Sequence, residues 1–164
     1  MENGEWRRLL IPLESAARMP ARPIPSLSAV MPAYNEQEIL PVTLTEAVEA
    51  LDEIAEDWEL IMVDDGSRDR TPGILADWSA KDPRIRVLTQ NPNQGYSKAL
   101  IRGFAAATRP AVFYTDADAQ FDLREITRLY PHLANYDLVT GYRVGMIMPE
   151  RMYPSDPTTI RAPF

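Results

Sequence analysis

Short apolar runs recur along this chain, and segments with helical spacing separate them. The runs occupy residues 27–31, 60–63, 85–88 and 111–114, and a more polar fifth run follows at 137–142. Runs of this length are typical of buried strands in a sheet that is covered on both faces. The alternation of strands and helices predicts an α/β domain with a Rossmann-like, mostly parallel sheet and helices on both of its faces.

The first two intervening segments show clear helical patterns. In the second, Thr71 is the predicted N-cap and Pro72 the first helical residue. The first segment ends near Ala55 and places apolar side chains at helical spacing. Its predicted inward residues are Leu40, Leu44, Val48, Leu51 and Ile54.

The last two helical segments are predicted at 97–108 and after Asp122. We expect Asp122 to cap the fourth helix, with Glu125 completing a capping box. The predicted inward residues are Leu100, Ile101 and Phe104 in the third helix, and Ile126, Leu129, Tyr130 and Leu133 in the fourth.

Composition and charge narrow the classes of protein that fit. With 164 residues, 45% of them hydrophobic and 25% charged, one globular domain is expected at 26–145, between tails at 1–25 and 146–164. The net charge of −7 argues against a nucleic-acid partner bound through a broad basic face. No run approaches the roughly 18 apolar residues of a membrane span.

Polar turns follow three of the predicted strands, at 34–36, 64–67 and 116–118. The carboxyl ends of parallel strands lie at one edge of a sheet, and ligands bind there. Asp116, Asp118 and Gln120 alternate along the chain, so their oxygens can face one way and hold Mg²⁺ or Mn²⁺. The alternative is a polar loop that only caps the next helix, but the convergence of three turns favours a site.

The acidic turns predict a particular ligand chemistry. In a protein with net charge −7, a phosphate needs local help, and a cation bridging carboxylates to a diphosphate supplies it. Asp64 and Asp65 follow a different strand and can accept hydrogen bonds from a base or a ribose. Neither GxGxxG nor GxxxxGK[ST] occurs after the first strand, which disfavours dinucleotide-binding and P-loop proteins.

Four motifs in order resemble the family 2 nucleotide-sugar glycosyltransferases of the GT-A fold, and most closely the dolichyl-phosphate mannose synthase and polyprenyl-phosphate glycosyltransferase branch. They are VMPAYNE from Val30, IMVDDGSRDRT from Ile61, NQG from Asn93 with Gly103 beyond it, and YTDADAQ from Tyr114. The resemblance covers about residues 27–143 and implies an inverting hexosyltransferase that uses a nucleotide-diphospho-sugar.

The resemblance also implies roles for individual residues. Asp116 and Asp118, with Ala117 between them, match the metal-binding DxD motif, and Gln120 is an additional metal ligand. Asp118 and Arg143 are the implied catalytic residues, and Asp65, with Asp64 beside it, is the implied contact to base or ribose. The rest of the implied donor site is formed by Pro32, Tyr34, Glu36, Gly95 and Lys98.

The lack of a catalytic general base indicates the chemical class of the acceptor. No acidic motif suited to deprotonating a hydroxyl follows Arg143, whereas a lipid phosphate is already ionised and needs only cations. The implied acceptor is polyprenyl phosphate, reached by peripheral contact at the cytoplasmic face of the membrane. Because the sequence after Arg143 departs from the family pattern, we expect either a fragment or a divergent, inactive member that still binds nucleotide-sugar.

A nucleotidyltransferase of similar topology is the remaining alternative. Such enzymes carry a glycine-rich, basic loop after the first strand. This chain has Pro32-Ala33-Tyr34-Asn35-Glu36 at that position, which disfavours the alternative.

Overall fold

The computed structural model describes residues 24–118 and 121–141, which form a parallel sheet with flanking helices. The strands are β1 (Ile24–Ala33), β2 (Ala55–Asp64), β3 (Ile85–Thr89) and β4 (Ala111–Tyr114), in the spatial order β3-β2-β1-β4. All three strand pairings are parallel. The main helices are α1 (Leu40–Ile54), α2 (Thr71–Lys81) and α3 (Tyr96–Ala106). The predicted α/β fold is confirmed.

The two faces of the sheet bury separate sets of side chains. Alternate residues of a strand point to opposite faces, so Val30, Ile61 and Val63 pack on one side with Ala99 of α3. The larger cluster lies on the other side and includes residues of α1 and α2 together with Ala29, Met31, Leu60 and Met62. Helices therefore cover both faces, as the unbroken apolar strands predict.

Helix α1 follows its predicted pattern. Four of the five predicted inward side chains are buried, and Val48 is partly buried against the same core. Pro41 is the second helical residue, where the backbone N–H that it lacks would have had no partner within the helix. With fifteen residues, α1 is the longest helix in the described part of the chain. No helix there is long and apolar enough to cross a membrane.

Helix α3 buries a different face from the one predicted. Ala99 and Gly103 point at the sheet, whereas Ile101 is 66% exposed. Phe104 is also exposed and meets Tyr114 edge to face, with ring centroids 5.5 Å apart. Leu100, the third predicted inward residue, is partly buried against the same cluster as Ala99. The prediction was wrong for Ile101 and Phe104, because close packing of helix on sheet selects the smallest side chains at the contact.

Replacing Gly103 with Ala is expected to lower the free energy of unfolding by about 1–2 kcal/mol, because an added methyl overpacks the core. An added Cβ would overlap Cγ1 of Val30 and come within 3.2 Å of Cγ2 of Val63. Gly73 in α2 provides a matched control, since a Cβ there meets nothing within 4 Å. Gly73→Ala should stabilise the protein by about 0.5–1 kcal/mol through helix propensity. Urea denaturation of both variants tests this, and equal changes would contradict the close contact.

Strand β1 runs through Pro32 to Ala33, two residues beyond the apolar run predicted at 27–31. The neighbouring strand β4 ends at Tyr114, which pairs with Val30, so no β4 residue lies opposite Pro32. On the other side, β2 continues to pair with β1 through Ala33. The missing N–H of Pro32 therefore interrupts no hydrogen bond to a neighbouring strand.

The region after β4 is less regular than predicted. Asp122 caps the first turn as expected, its side chain accepting from Arg124 N at 3.0 Å. The predicted fourth helix is instead a 3₁₀ turn (Leu123–Glu125), a single α-turn, α4 (Ile126–Leu129), and a second 3₁₀ turn (Tyr130–Ala134). Pro131 cannot donate a helical hydrogen bond, and of the predicted inward residues only Ile126 is buried.

The predicted fifth strand does not form within the described residues, because 137–141 pair with no strand. This run was also the most polar of the five, since Asp137, Thr140 and Gly141 make up half of it. Most of the predicted N-terminal tail and all of the predicted C-terminal tail lie outside the described residues.

Candidate functional site

The loops that follow β1 and β2 are joined by reciprocal hydrogen bonds. The backbone N–H of Asn35 donates to Ser67 Oγ at 2.9 Å, and the N–H of Arg68 donates to Asn35 Oδ1 at 2.8 Å. Asn35 has φ +56°, a left-handed conformation that Asn tolerates better than most residues. The two polar turns predicted to converge are thus held against each other.

A second set of bonds extends this connection to the start of α2. The N–H of Glu36 donates to Thr71 Oγ1 at 2.9 Å, and the N–H of Gln37 donates to Asp69 Oδ2 at 3.1 Å. Thr71 was predicted to be the N-cap, but it is the first helical residue, and Asp69 Oδ1 accepts its N–H at 2.9 Å. The Thr71 hydroxyl is used instead to hold the loop that carries Glu36.

Asp64 and Asp65 at the end of β2 are both buried but have different surroundings. Asp64 Oδ1 accepts from Ser67 N at 3.0 Å, while Oδ2 has no hydrogen-bond partner within the described ranges. Both oxygens of Asp65 are occupied, by the side chain of Gln90 and by the N–H groups of Gln94 and Gly95. The unpartnered oxygen is therefore on Asp64, where a donor group from water or a ligand is needed.

The turn after β4 carries Asp116 and Asp118 on a fixed backbone. The N–H of Thr115 donates to Val30 O at 3.2 Å, so the turn starts beside the end of β1. Ala117 is buried in the core, and its carbonyl accepts from Thr43 Oγ1 of α1 at 3.0 Å. Since Ala117 faces the core, the flanking carboxylates lie at the surface, with Asp116 exposed and Asp118 half-buried.

Negative charges converge where these loops meet. The pKa of the Glu36 carboxyl is raised, first by burial and then by the charges of Asp118, Asp69 and Asp116. The pKa of the Tyr96 hydroxyl is raised too, by burial and next by its hydrogen bond with Asp116. The turns after β1, β2 and β4 therefore form one acidic region.

The donor atoms in this region suit a hard divalent cation. Within residues 24–118 and 121–141, no group of three or more acidic or histidine side chains is arranged to hold a metal ion by itself. Mg²⁺ commonly uses one or two carboxylates and takes its other ligands from phosphates and water. Asp116 and Asp118 match that requirement. A cation beside them would offset their repulsion of Glu36, which adds to burial in raising the pKa of that carboxyl.

The remaining predicted site residues lie at the end of β1 and at the start of α3. Pro32 is buried within β1, and Tyr34 is exposed just beyond it. Gly95 is the N-cap of α3 with φ +92°, and Lys98 is exposed in the first turn of that helix. The predicted roles of Gln120 in metal binding and of Arg143 in catalysis fall outside the described residues.

A cleft of about 420 Å³ borders Asp116 on its α1 side. Thr43, Glu46 and Glu49 of α1 line one wall, and Phe121, Asp122 and Arg124 line another. Neither Glu36 nor Asp64 lines this cleft, so the converging loops, and not the cleft, define the candidate site.

Three residues of the site were missed in the sequence. Thr43 holds Ala117, Gln90 holds Asp65, and Tyr96 lies beside Asp116. A signal existed for Thr43, which is a polar residue in the apolar stripe of α1, three residues after Leu40. No comparable pattern marks Gln90 or Tyr96, because their contacts join segments that are distant in sequence.

Comparison with known proteins identifies the family. The profile described as Glycosyl transferase family 2 matches residues 28–158. The chain belongs to this family. The match includes β1 to β4 and continues beyond residue 145, where the predicted domain ends.

Proteins similar to this chain include sugar transferases named for undecaprenyl phosphate. An undecaprenyl-phosphate 4-deoxy-4-formamido-L-arabinose transferase from Pectobacterium carotovorum is 40% identical over 125 residues, covering 74% of this chain and 38% of that protein. A protein of the same name from Pseudomonas fluorescens is 39% identical over 123 residues, covering 74% and 36%. This chain thus spans less than two fifths of the length of these relatives.

A similar solved structure is the mannosyltransferase PcManGT from Pyrobaculum calidifontis in complex with GDP-Man and Mn²⁺. The TM-score is 0.60 at 25% sequence identity, over 75% of this chain and 37% of that one. The similarity supports the predicted GT-A fold.

Proposed function

We propose that this chain forms the donor-binding part of a glycosyltransferase that moves a sugar from a nucleotide-diphospho-sugar to polyprenyl phosphate. The observation that carries the proposal is the convergence of Glu36, Asp116 and Asp118 beyond the carboxyl ends of β1 and β4. Asp64 ends β2, and the loop that follows it is bonded to the loop of Glu36. Ligands of open parallel sheets bind at this edge. The named relatives, which use undecaprenyl phosphate, support the acceptor.

Each part of the donor is matched by groups of suitable chemistry. The unpartnered oxygen of Asp64 would accept a hydrogen bond from the base or ribose, and exposed Tyr34 lies in the adjoining loop. Asp116 and Asp118 would hold Mg²⁺ or Mn²⁺, which when bound neutralises charge on the departing diphosphate. Lys98, exposed in the first turn of α3, would lie near the phosphates or the sugar.

The proposed reaction is a single displacement. A phosphate oxygen of the acceptor attacks the anomeric carbon, and the bond from that carbon to the diphosphate oxygen breaks. The bonding electrons leave with the nucleoside diphosphate, and the configuration at the anomeric carbon inverts. An ionised phosphate needs no general base. The acceptor would be reached peripherally at the cytoplasmic face of the membrane.

The second candidate is a binding module that holds nucleotide-sugar without transferring it. The observation that favours it is that the described groups of the site, Glu36, Asp64, Asp116 and Asp118, are all suited to the donor and its cation. The two candidates share the donor site and differ only in turnover.

Thermal unfolding tests the donor site. UDP, GDP, UDP-glucose and GDP-mannose are each added with Mn²⁺ or with EDTA. At 100 times its Kd, a ligand of the folded state stabilises it by about 2.7 kcal/mol, which should raise Tm by about 5–10 °C for a chain of this size. We expect a shift for one base that requires Mn²⁺.

The outcomes separate the candidates. No shift with any nucleotide would contradict both candidates, since both require donor binding. A Mn²⁺-dependent shift without transfer to undecaprenyl phosphate, and without release of nucleoside diphosphate, would support the binding module. A shift that is equal in Mn²⁺ and in EDTA would remove the metal from the proposal.

A further inference from the structure

We propose that Tyr96 is a positioning residue of the cation site, and that its hydroxyl orients the carboxylate of Asp116 towards a divalent metal ion. This inference rests on the proposed function, in which Asp116 and Asp118 hold the cation that accompanies the donor. It adds to that site a residue of α3 that acts through Asp116.

The hydroxyl of Tyr96 lies beside the acidic turn that follows β4. Tyr96 is the first residue of α3, and its side chain forms a hydrogen bond with that of Asp116. An ordinary phenol has a pKa of about 10, so at neutral pH the hydroxyl donates and the carboxylate accepts. Burial raises the pKa of this hydroxyl most, and after the bond with Asp116 the charges nearby, that of Asp118 among them, raise it further. Tyr96 therefore lies close to both carboxylates of the cation site.

The start of α3 holds the backbone of Tyr96 in place. Gly95 is the N-cap, and its carbonyl accepts from Lys98 N and Ala99 N, both at 3.1 Å. The N–H of Gly95 donates to Asp65 Oδ2 at 2.8 Å. Ala99, within the first turn, is buried against the sheet. The phenol is thus carried by a segment that is fixed on both sides.

The turn that carries Asp116 is fixed separately from Tyr96. The N–H of Thr115 donates to a carbonyl of β1 at 3.2 Å, and the carbonyl of Ala117 accepts from Thr43 Oγ1 at 3.0 Å. These bonds hold the backbone on either side of Asp116, but its side chain is exposed. Packing therefore does not restrict the rotamer of this carboxylate, whereas the bond from Tyr96 does.

Packing does not account for a tyrosine at this position. Tyr96 is 50% exposed. Within the described residues, the apolar cluster between α3 and the sheet is built around Ala99 and does not include Tyr96. The neighbouring ring of Tyr114 packs edge to face on Phe104. The hydroxyl is therefore the part of Tyr96 that makes a defined contact with the site.

A hydrogen bond to a ligating carboxylate is a common arrangement around protein metal ions, because it fixes the orientation in which the carboxylate meets the cation. Without the phenol, Asp116 would lose more rotamer freedom when a cation binds. Removing such a partner typically weakens metal affinity by about 10–100-fold. The role proposed for Tyr96 therefore has an expected size.

Tyr96→Phe is the test variant, because it removes the hydroxyl and keeps the ring. Calorimetric titration of UDP and of GDP at a series of Mn²⁺ concentrations gives the Mn²⁺ concentration at which half of the metal-dependent affinity is reached. We expect this midpoint to rise by about 10–100-fold. The residual nucleotide affinity in EDTA should stay as in the wild type, since the bond acts through the cation.

Two further variants serve as controls. Tyr114→Phe removes a hydroxyl from the same region and keeps the ring on Phe104, so the Mn²⁺ midpoint should not change. In an Asp116→Asn background, Tyr96→Phe should raise the midpoint much less than it does in the wild type, because the charged ligand that it orients is gone. Since Tyr96 is half-exposed, Tyr96→Phe should fold, and its Tm without ligand should be close to that of the wild type.

The inference is overturned if Tyr96→Phe leaves the Mn²⁺ midpoint unchanged, or if it weakens nucleotide binding equally in Mn²⁺ and in EDTA. Equal effects of Tyr96→Phe with and without the Asp116→Asn change would also overturn it. Absence of Mn²⁺-dependent nucleotide binding by the wild-type protein would contradict the proposed function and, with it, this role of Tyr96. The wild type thus tests the function and its comparison with Tyr96→Phe tests the inference, so the two failures are distinguishable.

Discussion

Asp118→Asn should reduce sugar transfer and Mn²⁺-dependent donor affinity by about 100-fold, since losing one charged ligand removes several kcal/mol of charge stabilisation. The fold should survive, because the backbone of the turn is held through the bond from Thr43 Oγ1 to the carbonyl of Ala117, which the substitution does not touch. Calorimetric titration of the preferred nucleotide in Mn²⁺ and in EDTA measures the affinity, and release of nucleoside diphosphate measures the transfer.

Asp122→Asn is the matched control for this variant. It removes the same charge four residues later, where Asp122 caps a 3₁₀ turn. The control should bind the donor as the wild type does. Unchanged binding by Asp118→Asn in both conditions would count against the metal assignment. A lower Tm with intact binding would show that Asp118 has a structural role.

Glu59→Ala should lower the free energy of unfolding by about 3 kcal/mol, because it removes the acceptor of a buried hydrogen-bond network. Glu59 is 4% exposed and accepts from Ser28 Oγ at 2.7 Å, from Arg86 NH1 at 2.6 Å, and from the N–H and hydroxyl of Thr108 at 2.7 and 2.8 Å. It therefore joins β1, β2, β3 and the segment that leads into β4.

Urea denaturation at neutral pH measures this loss. Asp57→Asn provides a control on the same strand, since its more exposed ion pair with Arg109 should change stability by no more than about 0.5 kcal/mol. A similar loss in both variants would contradict a special contribution from the Glu59 network.

The hydrogen bonds to Glu59 also predict that the free energy of unfolding depends on pH. Burial by itself would raise the pKa of Glu59, but hydrogen bonds from Ser28, Arg86 and Thr108 outweigh it and lower the pKa from 4.5 to about 2. Because the pKa of the folded state is the lower one, the stabilisation is present above pH 4.5. It is lost as the pH falls from about 4.5 to about 2, and amounts to about 3 kcal/mol.

Denaturation of the wild type and Glu59→Gln across this pH range tests the linkage. We expect the difference in unfolding free energy between the two proteins to shrink as the pH falls towards 2. If the difference in unfolding free energy stays constant across this pH range, the pKa of Glu59 is not lowered in the folded state.

Much of the candidate site could be predicted from the sequence, because its turns are local features. Each acidic or polar turn directly follows a strand, and parallel pairing brings strand ends to one edge whatever their order. Asp64, Asp116, Asp118 and Glu36 could therefore be selected as residues of one region. The bonds that hold them could not, since Thr43 and Ala117 are separated by 74 positions along the chain and Gln90 and Asp65 by 25.

The sequence by itself determined the order of the four strands and the three main helices along the chain, the acidic turns and the family. These follow from the length of apolar runs, from helical periodicity and from motifs, all of which are local. Only the tertiary structure decided that β1 lies between β2 and β4 and that α3 packs through Ala99 and Gly103. It also decided that both oxygens of Asp65 are bonded, whereas within the described residues Asp64 Oδ2 has no partner. The physical reason is that close packing and the satisfaction of buried polar atoms depend on neighbours that are distant in sequence.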